Sequence, residues 1–389
     1  MRAVILAGGQ GTRLKPLTDR RPKALMPLFD QPLLMHTVDH LVRYGMDDLV
    51  LALGQGAEAI IQSLSRMSTK VRIRYCLESK PLGTAGAVRY TLGIYPTAEP
   101  FLVVPGDVVT TMDLGQFVKA SQHQGAEVAM ALARVDDVKG FGMVERDQMG
   151  WITAFSEKRS HGPKDSLINT GIYYLTPQHI ARLPAGPIDF GYDVFPAWVA
   201  RGLALWSWEG TGYWTDLGTP ERYRQAILYD LFPRTSLLGG DQAVGGSPYW
   251  PGVRVLPPVS AGLNVQVEPG AVIGPYVVLG ENVRVGARSR VAHSVIGQGV
   301  TLGADTRVVG AVIDSEVVVG TRAEIGLGAV IGSGARIGRS RVIANGTHVA
   351  AGEHLLTQHF SLTYCNKTIL LYYRRWLRTN SIQNDSRFH

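Results

Sequence analysis

The chain has 389 residues, 45% hydrophobic and 18% charged, with a net charge of +7. That length exceeds one ordinary hydrophobic core, so two domains are expected. The positive excess is modest and forms no basic run interleaved with aromatics, which argues against nucleic acid and suits anionic small substrates. Two cysteines, Cys76 and Cys365, are too few for a disulfide framework and point to a reducing compartment.

The first apolar run, Ala3–Ala7, reads as a buried strand that stops at a glycine pair. It is too short for a signal peptide, and no later run reaches the roughly 18 residues of a membrane span, so a cytoplasmic protein is expected and membrane association is not. The strand leads into Gly8-Gly9-Gln10-Gly11-Thr12-Arg13-Leu14. A Walker A loop would need Gly-Lys-Ser/Thr after four spacers, which is absent. A Rossmann fingerprint would need a helix at once and a small residue at Leu14. Pro16, Pro22 and Pro27 forbid that helix. The glycine turn therefore feeds a long, proline-stiffened loop whose backbone N–H groups can approach phosphate oxygens, with Arg13 and Lys23 adding charge on either side. One arginine and one lysine so placed suit a triphosphate.

Strands and helices then alternate: helix Leu33–Tyr44 stopped by Gly45, strand Leu49–Leu53, helix Ala57–Met67, strand Val71–Leu77, helix Thr84–Tyr95 and strand Phe101–Pro105. Alternation of this kind implies a doubly wound, mostly parallel α/β sheet, Rossmann-like, with ligands at the carboxyl ends of its strands. Gly83, Thr84 and Gly86 open the third helix, where small residues leave room for a flat ring and supply N–H donors. Asp107 follows the strand Phe101–Pro105 at its carboxyl end, where a carboxylate can hold a hard cation such as Mg²⁺.

Pro233 to Pro258 is rich in proline and glycine and marks a boundary. From Val267 the period becomes six: Val267, Ile273, Leu279, Val285 and Val291, then after a five-residue step Ile296, Leu302 and Val308, and after a second Ile313, Val319, Ile325, Ile331, Ile337, Ile343 and Val349. A small or acidic residue tolerant of tight bends follows almost every one. An aliphatic at every sixth position suits a triangular coil of three short strands, stacked into one continuous core. The expected division is a catalytic domain over 1–235, a linker over 236–260, a parallel β-helix over 261–355 and a tail over 356–389. Within the tail, Lys367–Arg378 reads as an amphipathic helix that packs on a neighbour or lies on a membrane surface.

The string Leu6-Ala7-Gly8-Gly9-Gln10-Gly11-Thr12-Arg13-Leu14-Lys15-Pro16-Leu17-Thr18 with Pro22-Lys23 resembles the signature of the sugar-1-phosphate nucleotidylyltransferases, and the repeat resembles the hexapeptide-repeat left-handed β-helix. The resemblance implies an enzyme joining NTP to a hexose-1-phosphate and releasing pyrophosphate. It assigns the nucleotide to Leu6, Ala7, Gly8, Gly9, Gly11, Thr12, Arg13, Lys23, Gly83, Thr84 and Gly86. Asp216, in Gly212-Tyr213-Trp214-Thr215-Asp216-Leu217-Gly218, is similar to the family's second metal-binding carboxylate beside Asp107. Gly142, Glu157, Lys158, Asn169 and Gly171 match its sugar-phosphate contacts; Arg159 stands where many relatives have proline. Glu157 and Lys158 can share a site only where their strand ends or bulges, since neighbours on a strand face opposite ways.

The nucleophile is already an ionised phosphate oxygen, so no activated Ser, Cys or His is required, and Arg13, Lys23, Asp107, Lys158 and Asp216 form the implied catalytic set with Mg²⁺. Gly106 before Asp107 leans towards UTP with glucose-1-phosphate; the alternative is GTP with mannose-1-phosphate. Two other readings are an acetyltransferase activity in the β-helix, for which only His293 and His348 lie between Val267 and Val349, and a non-catalytic regulatory subunit. The flat β-helix faces imply a homo-oligomer.

Overall fold

The computed structural model describes residues 1–29, 31–66, 71–157, 161–231 and 249–356. Lys158, the amphipathic stretch Lys367–Arg378 and most of the Pro/Gly-rich boundary lie outside the described residues. The first strand, Arg2–Leu6, sits at the centre of a nine-stranded sheet. It pairs in parallel with Asp48–Leu53 on one side and Phe101–Pro105 on the other, and Arg72–Leu77 extends the parallel set. Val4, Ile5, Val50 and Val103 are fully buried, as strands covered by helices on both faces must be.

Two helices of this half show their local causes. Leu34, Val38 and Leu41 place one apolar stripe of Leu33–Arg43 on the core. That helix ends where the Gly45 amide donates to the Val42 carbonyl and the Met46 amide to the Leu41 carbonyl, a Schellman closure. Asp113 caps Leu114–His123 by accepting from the Gln116 amide.

The second half of the sheet is mixed rather than parallel. Ser166–Leu175 runs antiparallel to Phe101–Pro105, Val128–Val135 and Met143–Arg146, and Met143–Arg146 is antiparallel to Ile152–Ser156. The hairpin between Met143–Arg146 and Ile152–Ser156 has a local cause. Asp147 accepts from the Met149 and Trp151 amides to make a tight turn, and a hairpin of that length leaves no room for a crossover helix.

From Arg254 three six-stranded, all-parallel sheets form the β-helix, with Ile273, Ile296, Ile313 and Ile331 among the aliphatics in its core. The two five-residue steps shorten individual coils. Val278 pairs with Val295 and Val295 with Val312, a spacing of 17, whereas Val312 pairs with Val330, a spacing of 18. Apart from Gly274, at φ +105°, the glycines that follow the aliphatics do not take the left-handed corner conformation. A Cβ on Gly280 would stand 2.7 Å from the Gln298 amide nitrogen, so that glycine permits coil-to-coil approach. The left-handed corners fall elsewhere, on Asn264, Asn282 and Glu316 among others.

One flat face of the β-helix, carrying Val278, Val295, Val312 and Val330, packs on Leu217, Tyr223, Ile227, Leu228 and Leu231 and on Leu14, Leu17 and Leu28 of the glycine-led loop. Met1–Leu356 is accordingly one compact unit. Among the described residues no helix is long and apolar enough to cross a membrane.

Candidate active site

The loop after the first strand does not become a long helix; it forms short 3-10 turns at Thr12–Leu14 and Lys23–Leu25. Leu6 accepts from the Gly106 amide, and the Ala7 amide donates to Ala52, so the loop departs from the middle of the parallel sheet. Gly8 lies against the backbone of Gly54, while Gly9 has open space where a side chain would stand. Gly11 takes φ +62°, and a Cβ there would meet the Lys23 Cβ at 2.9 Å. The loop thus folds back so that its glycine end touches its lysine end, with Thr12 and Arg13 on the turn between them.

Lys23 is 9% exposed at its side chain and donates to Asp107 Oδ2 at 2.7 Å. Asp107 is brought to Asp216 by main-chain pairing: Val108–Thr110 and Trp214–Asp216 are antiparallel, with Asp216 opposite Val108. Asp216 is held by the Gly218 amide and by Arg222 Nη1, each at 3.0 Å, and Arg13 Nη2 approaches its other oxygen at 3.9 Å. Arg13 itself is 61% exposed at its side chain, a cation offered to solvent at the mouth of the site. Arg13, Lys23, Asp107 and Asp216 therefore share one region although more than 200 residues separate the first from the last.

The helix start at Gly83–Gly86 is used differently from the sequence expectation. The Ala85 and Gly86 amides both donate to the Ile188 carbonyl, and a Cβ on Gly83 would stand 2.5 Å from that same oxygen. The small residues there admit the segment around Ile188, so two of the donors foreseen for a ligand are already taken. Thr84 donates to Asp189 Oδ2 at 2.9 Å and accepts from the Phe190 amide.

That segment continues to the sugar-side residues. Glu157 lies just past the end of the strand Ile152–Ser156, so the alternation of faces no longer constrains it. Its carboxyl group is wedged between Gly142 and Gly191; a Cβ on either would come within 2.6 Å of Oε2. Asn169 is on the inner strand at a register shift, where its Oδ1 accepts from the Gly171 amide and its Nδ2 donates to the Tyr173 hydroxyl. Complete burial pushes the Tyr173 phenol pKa up, with Asp189 and Glu157 adding to it, so the hydroxyl stays protonated. Gly171 packs on Pro105, which ties the sugar-side group to the strand that delivers Asp107.

Sequence reasoning missed Asp189, Gly191 and Arg222. Asp189 accepts from the Gly191 and Tyr192 amides, and an aspartate two residues before a glycine is a readable turn signal. Arg222, packed over the Phe141 ring at 4.5 Å, carried no signal beyond its place in the first turn of a helix.

A glycine-led loop on a mixed α/β sheet, with two carboxylates and two cations gathered beside it, is an arrangement suited to a nucleotide-handling transferase. The comparisons agree. The nucleotidyl transferase family profile matches residues 2–231, and a profile described as the GMPPB C-terminal domain matches residues 255–358. The mannose-1-phosphate guanylyltransferase of Mycobacterium tuberculosis is 31% identical over 294 residues, which cover 73% of this chain and 81% of that protein. Mannose-1-phosphate guanylyltransferase 1 of Arabidopsis thaliana is 30% identical, over 73% of this chain and 76% of its own. The crystal structure of HddC from Yersinia pseudotuberculosis complexed with GMP-PN superposes with a TM-score of 0.52 at 28% identity, covering 58% of this chain and 97% of that one. The chain belongs to the nucleotidyl transferase family and is a sugar-1-phosphate nucleotidylyltransferase.

These relatives overturn the lean towards UTP and glucose-1-phosphate, since those named are mannose-1-phosphate guanylyltransferases and the C-terminal profile is that of GMPPB. The structure shows why Gly106 misled. A Cβ there would lie 3.1 Å from Ala7 Cβ and 3.2 Å from Ile5 Cγ2 and Leu34 Cδ1. Tight packing on the first strand is thus enough to explain the glycine.

Proposed function

We propose that the protein joins mannose-1-phosphate to GTP, forming GDP-mannose and releasing pyrophosphate. The observation that carries the catalytic part is the pairing of Asp216 with Val108, which sets two carboxylates beside Lys23 and Arg13. The choice of GTP and mannose-1-phosphate is supported by what the relatives are named for.

In this reading the backbone from Leu6 to Thr12 cradles the triphosphate, and Arg13 and Lys23 hold the β and γ phosphates that leave together. Gly83, Thr84 and Gly86 are assigned to the base and ribose side, with the Gly86 amide already committed to the Ile188 carbonyl. Gly142, Glu157, Asn169 and Gly171 border the hexose, and Lys158 is assigned to its phosphate. The protein's task is alignment: the sugar-phosphate oxygen must face the α-phosphorus opposite the pyrophosphate, and fixing two reactants in that geometry removes much of the entropic barrier. Asp107 and Asp216 fit a Mg²⁺ ion, which is usually held by one or two carboxylates together with substrate phosphates. Asp107 uses one oxygen on Lys23, and among the described residues Asp216 Oδ2 has only the long contact to Arg13, which leaves oxygen atoms for a hard cation. When bound, the ion would neutralise charge building on the phosphates.

The acetyltransferase alternative loses one of its two histidines, because His293 is stacked with Tyr229 and Tyr276, Tyr229 belonging to the segment packed on the β-helix. Association through the β-helix and a cytoplasmic location belong to the same proposal; sedimentation of the purified protein tests the first. The decisive experiment is a panel of four NTPs against mannose-1-phosphate and glucose-1-phosphate, scored by pyrophosphate release. Preference for GTP with mannose-1-phosphate is expected; preference for any other pair overturns the substrate assignment.

A further inference from the structure

Three consecutive residues of the phosphate loop are anchored on three different parts of the molecule. Arg21 Nη2 donates to Asp314 Oδ1 at 2.7 Å and to Ser315 Oγ at 3.0 Å, both on the β-helix. Pro22 packs against Gly56, at the turn before the helix Ala57–Ser65. Lys23 reaches Asp107. Arg20 adds a second arm: its guanidinium lies against Gly334 and Gly352, at corners of the two coils that follow Asp314. Two residues of chain span at most about 7 Å, so a displacement of Arg21 cannot be absorbed before it reaches Lys23.

Asp314 is an exception within its own column. The residues that follow the aliphatic on this face, coil after coil, are Gly280, Gly297, Asp314, Gly332 and Ala350. A carboxylate therefore stands alone among residues without polar side chains, at the coil where Arg21 arrives. Its side chain is 4% exposed, and Oδ2 has no hydrogen-bond partner among the described residues. Burial pushes its pKa up while the Arg21 charge pulls it down. A half-satisfied buried ion pair is weak support for stability, and the best-attested use of such pairs is to fix geometry.

We propose that Arg21, Asp314 and Ser315 form a strut through which the β-helix sets the position of the triphosphate loop, so that the β-helix is a working part of the nucleotide site. Arg21 and Asp314 are positioning residues that act through Lys23 and Arg13. The inference rests on the proposed reading of that loop as the triphosphate grip. The strut is expected to serve the nucleotide end, since Arg21 stands two residues before Lys23 on the same loop and its bonds go to the β-helix.

The test uses the full chain and the nucleotide and hexose-1-phosphate that the substrate panel selects. Asp314→Asn should raise KM for the nucleotide about tenfold, below the roughly 10²-fold that a 1 Å misplacement can produce, and leave KM for the hexose-1-phosphate within about twofold. Arg21→Ala should do the same, Arg21→Lys should recover part of the loss, and the double variant Arg21→Ala/Asp314→Asn should be no worse than the poorer single one, as expected for one coupled contact. Should Asp314→Asn fail to fold, Ser315→Ala is read in its place. A nucleotide KM within twofold of wild type, or an equal rise in both KM values, overturns the strut. Lys23→Ala separates the two claims: if it raises nucleotide KM while Asp314→Asn does not, the loop reading stands and the strut falls; if it too has no effect, the loop reading itself is wrong.

Discussion

The β-helix and the sheet that precedes it bury their apolar residues by opposite means. In the β-helix each position means the same thing every sixth residue: Ile296, Ile313 and Ile331 occupy equivalent sites in successive coils. In the sheet no role repeats, and Asp107, Glu157 and Asp216 acquire theirs only from segments far away in sequence. The periodic half tolerates averaging, and a departure from its pattern, such as the buried carboxylate of Asp314, points to a residue with a separate task. The aperiodic half reveals function only through contacts. Substitutions in the two halves should therefore fail differently, one through stability and the other through chemistry.

The largest effect expected is on chemistry. Asp107→Asn keeps a partner for the buried Lys23 but removes the charge. Loss of one electrostatic group of this kind is worth on the order of 2.7–4 kcal/mol, a fall in kcat of roughly 10² to 10³. Thermal melting should move little, because Asp107 is partly exposed. Turnover near wild type would remove the metal assignment.

The complementary substitution is Ile331→Ala, at a side chain fully buried in the β-helix core. Truncation there should lower unfolding free energy by about 2–5 kcal/mol, read by denaturant titration, with kcat unchanged in the folded protein. A comparable loss of kcat would show that the halves are not separable in this way.

How much was legible in the sequence follows the same division. The strands and helices from Arg2 to Pro105 were readable because each apolar face has a helical or strand period, and several of them, such as Leu33–Arg43 and Asp48–Leu53, stop at a glycine. The antiparallel part was not, because pairing direction there depends on which hairpins close, and nothing in Met143–Arg146 specifies its neighbour. The repeat was readable by counting, yet its glycines were taken for bends when Gly280 serves coil approach. Arg13, Lys23, Asp107 and Asp216 could be named from strings of residues, but their common location depends on the Asp216–Val108 pairing. Arg21 gave no sign at all, because its partner Asp314 lies 293 residues away.

A smaller effect sharpens the distinction within the site. Gly142→Ala would drive a methyl group to 2.6 Å from Glu157 Oε2 and displace a carboxyl group assigned to the hexose. KM for mannose-1-phosphate should rise roughly tenfold while KM for GTP is unchanged. A rise in the GTP value instead would place Glu157 at the wrong end of the site.

The smallest effect is a pH dependence that tells the two halves apart. His293, on the β-helix, and His40, beneath the sheet, both have pKa values lowered, in each case chiefly by burial. Below the ordinary histidine value of 6.5 the unfolded chain takes up protons that the folded chain refuses, so stability is lost as pH falls through 6.5 and is flat above it. Each histidine contributes at most about 1.4 kcal/mol per pH unit. Nδ1 of His293 is 2.9 Å from the Tyr229 hydroxyl, and Arg224 opposes its protonation, so its share reports on the packing of the β-helix against the segment that follows Asp216. His293→Gln should therefore reduce the fall in unfolding free energy between pH 7.5 and 5.5 without abolishing it, since the contribution of His40, whose ring bonds the Met112 carbonyl, remains. Equal slopes for variant and wild type would mean that the interface takes no part in acid sensitivity and that the sheet alone sets it.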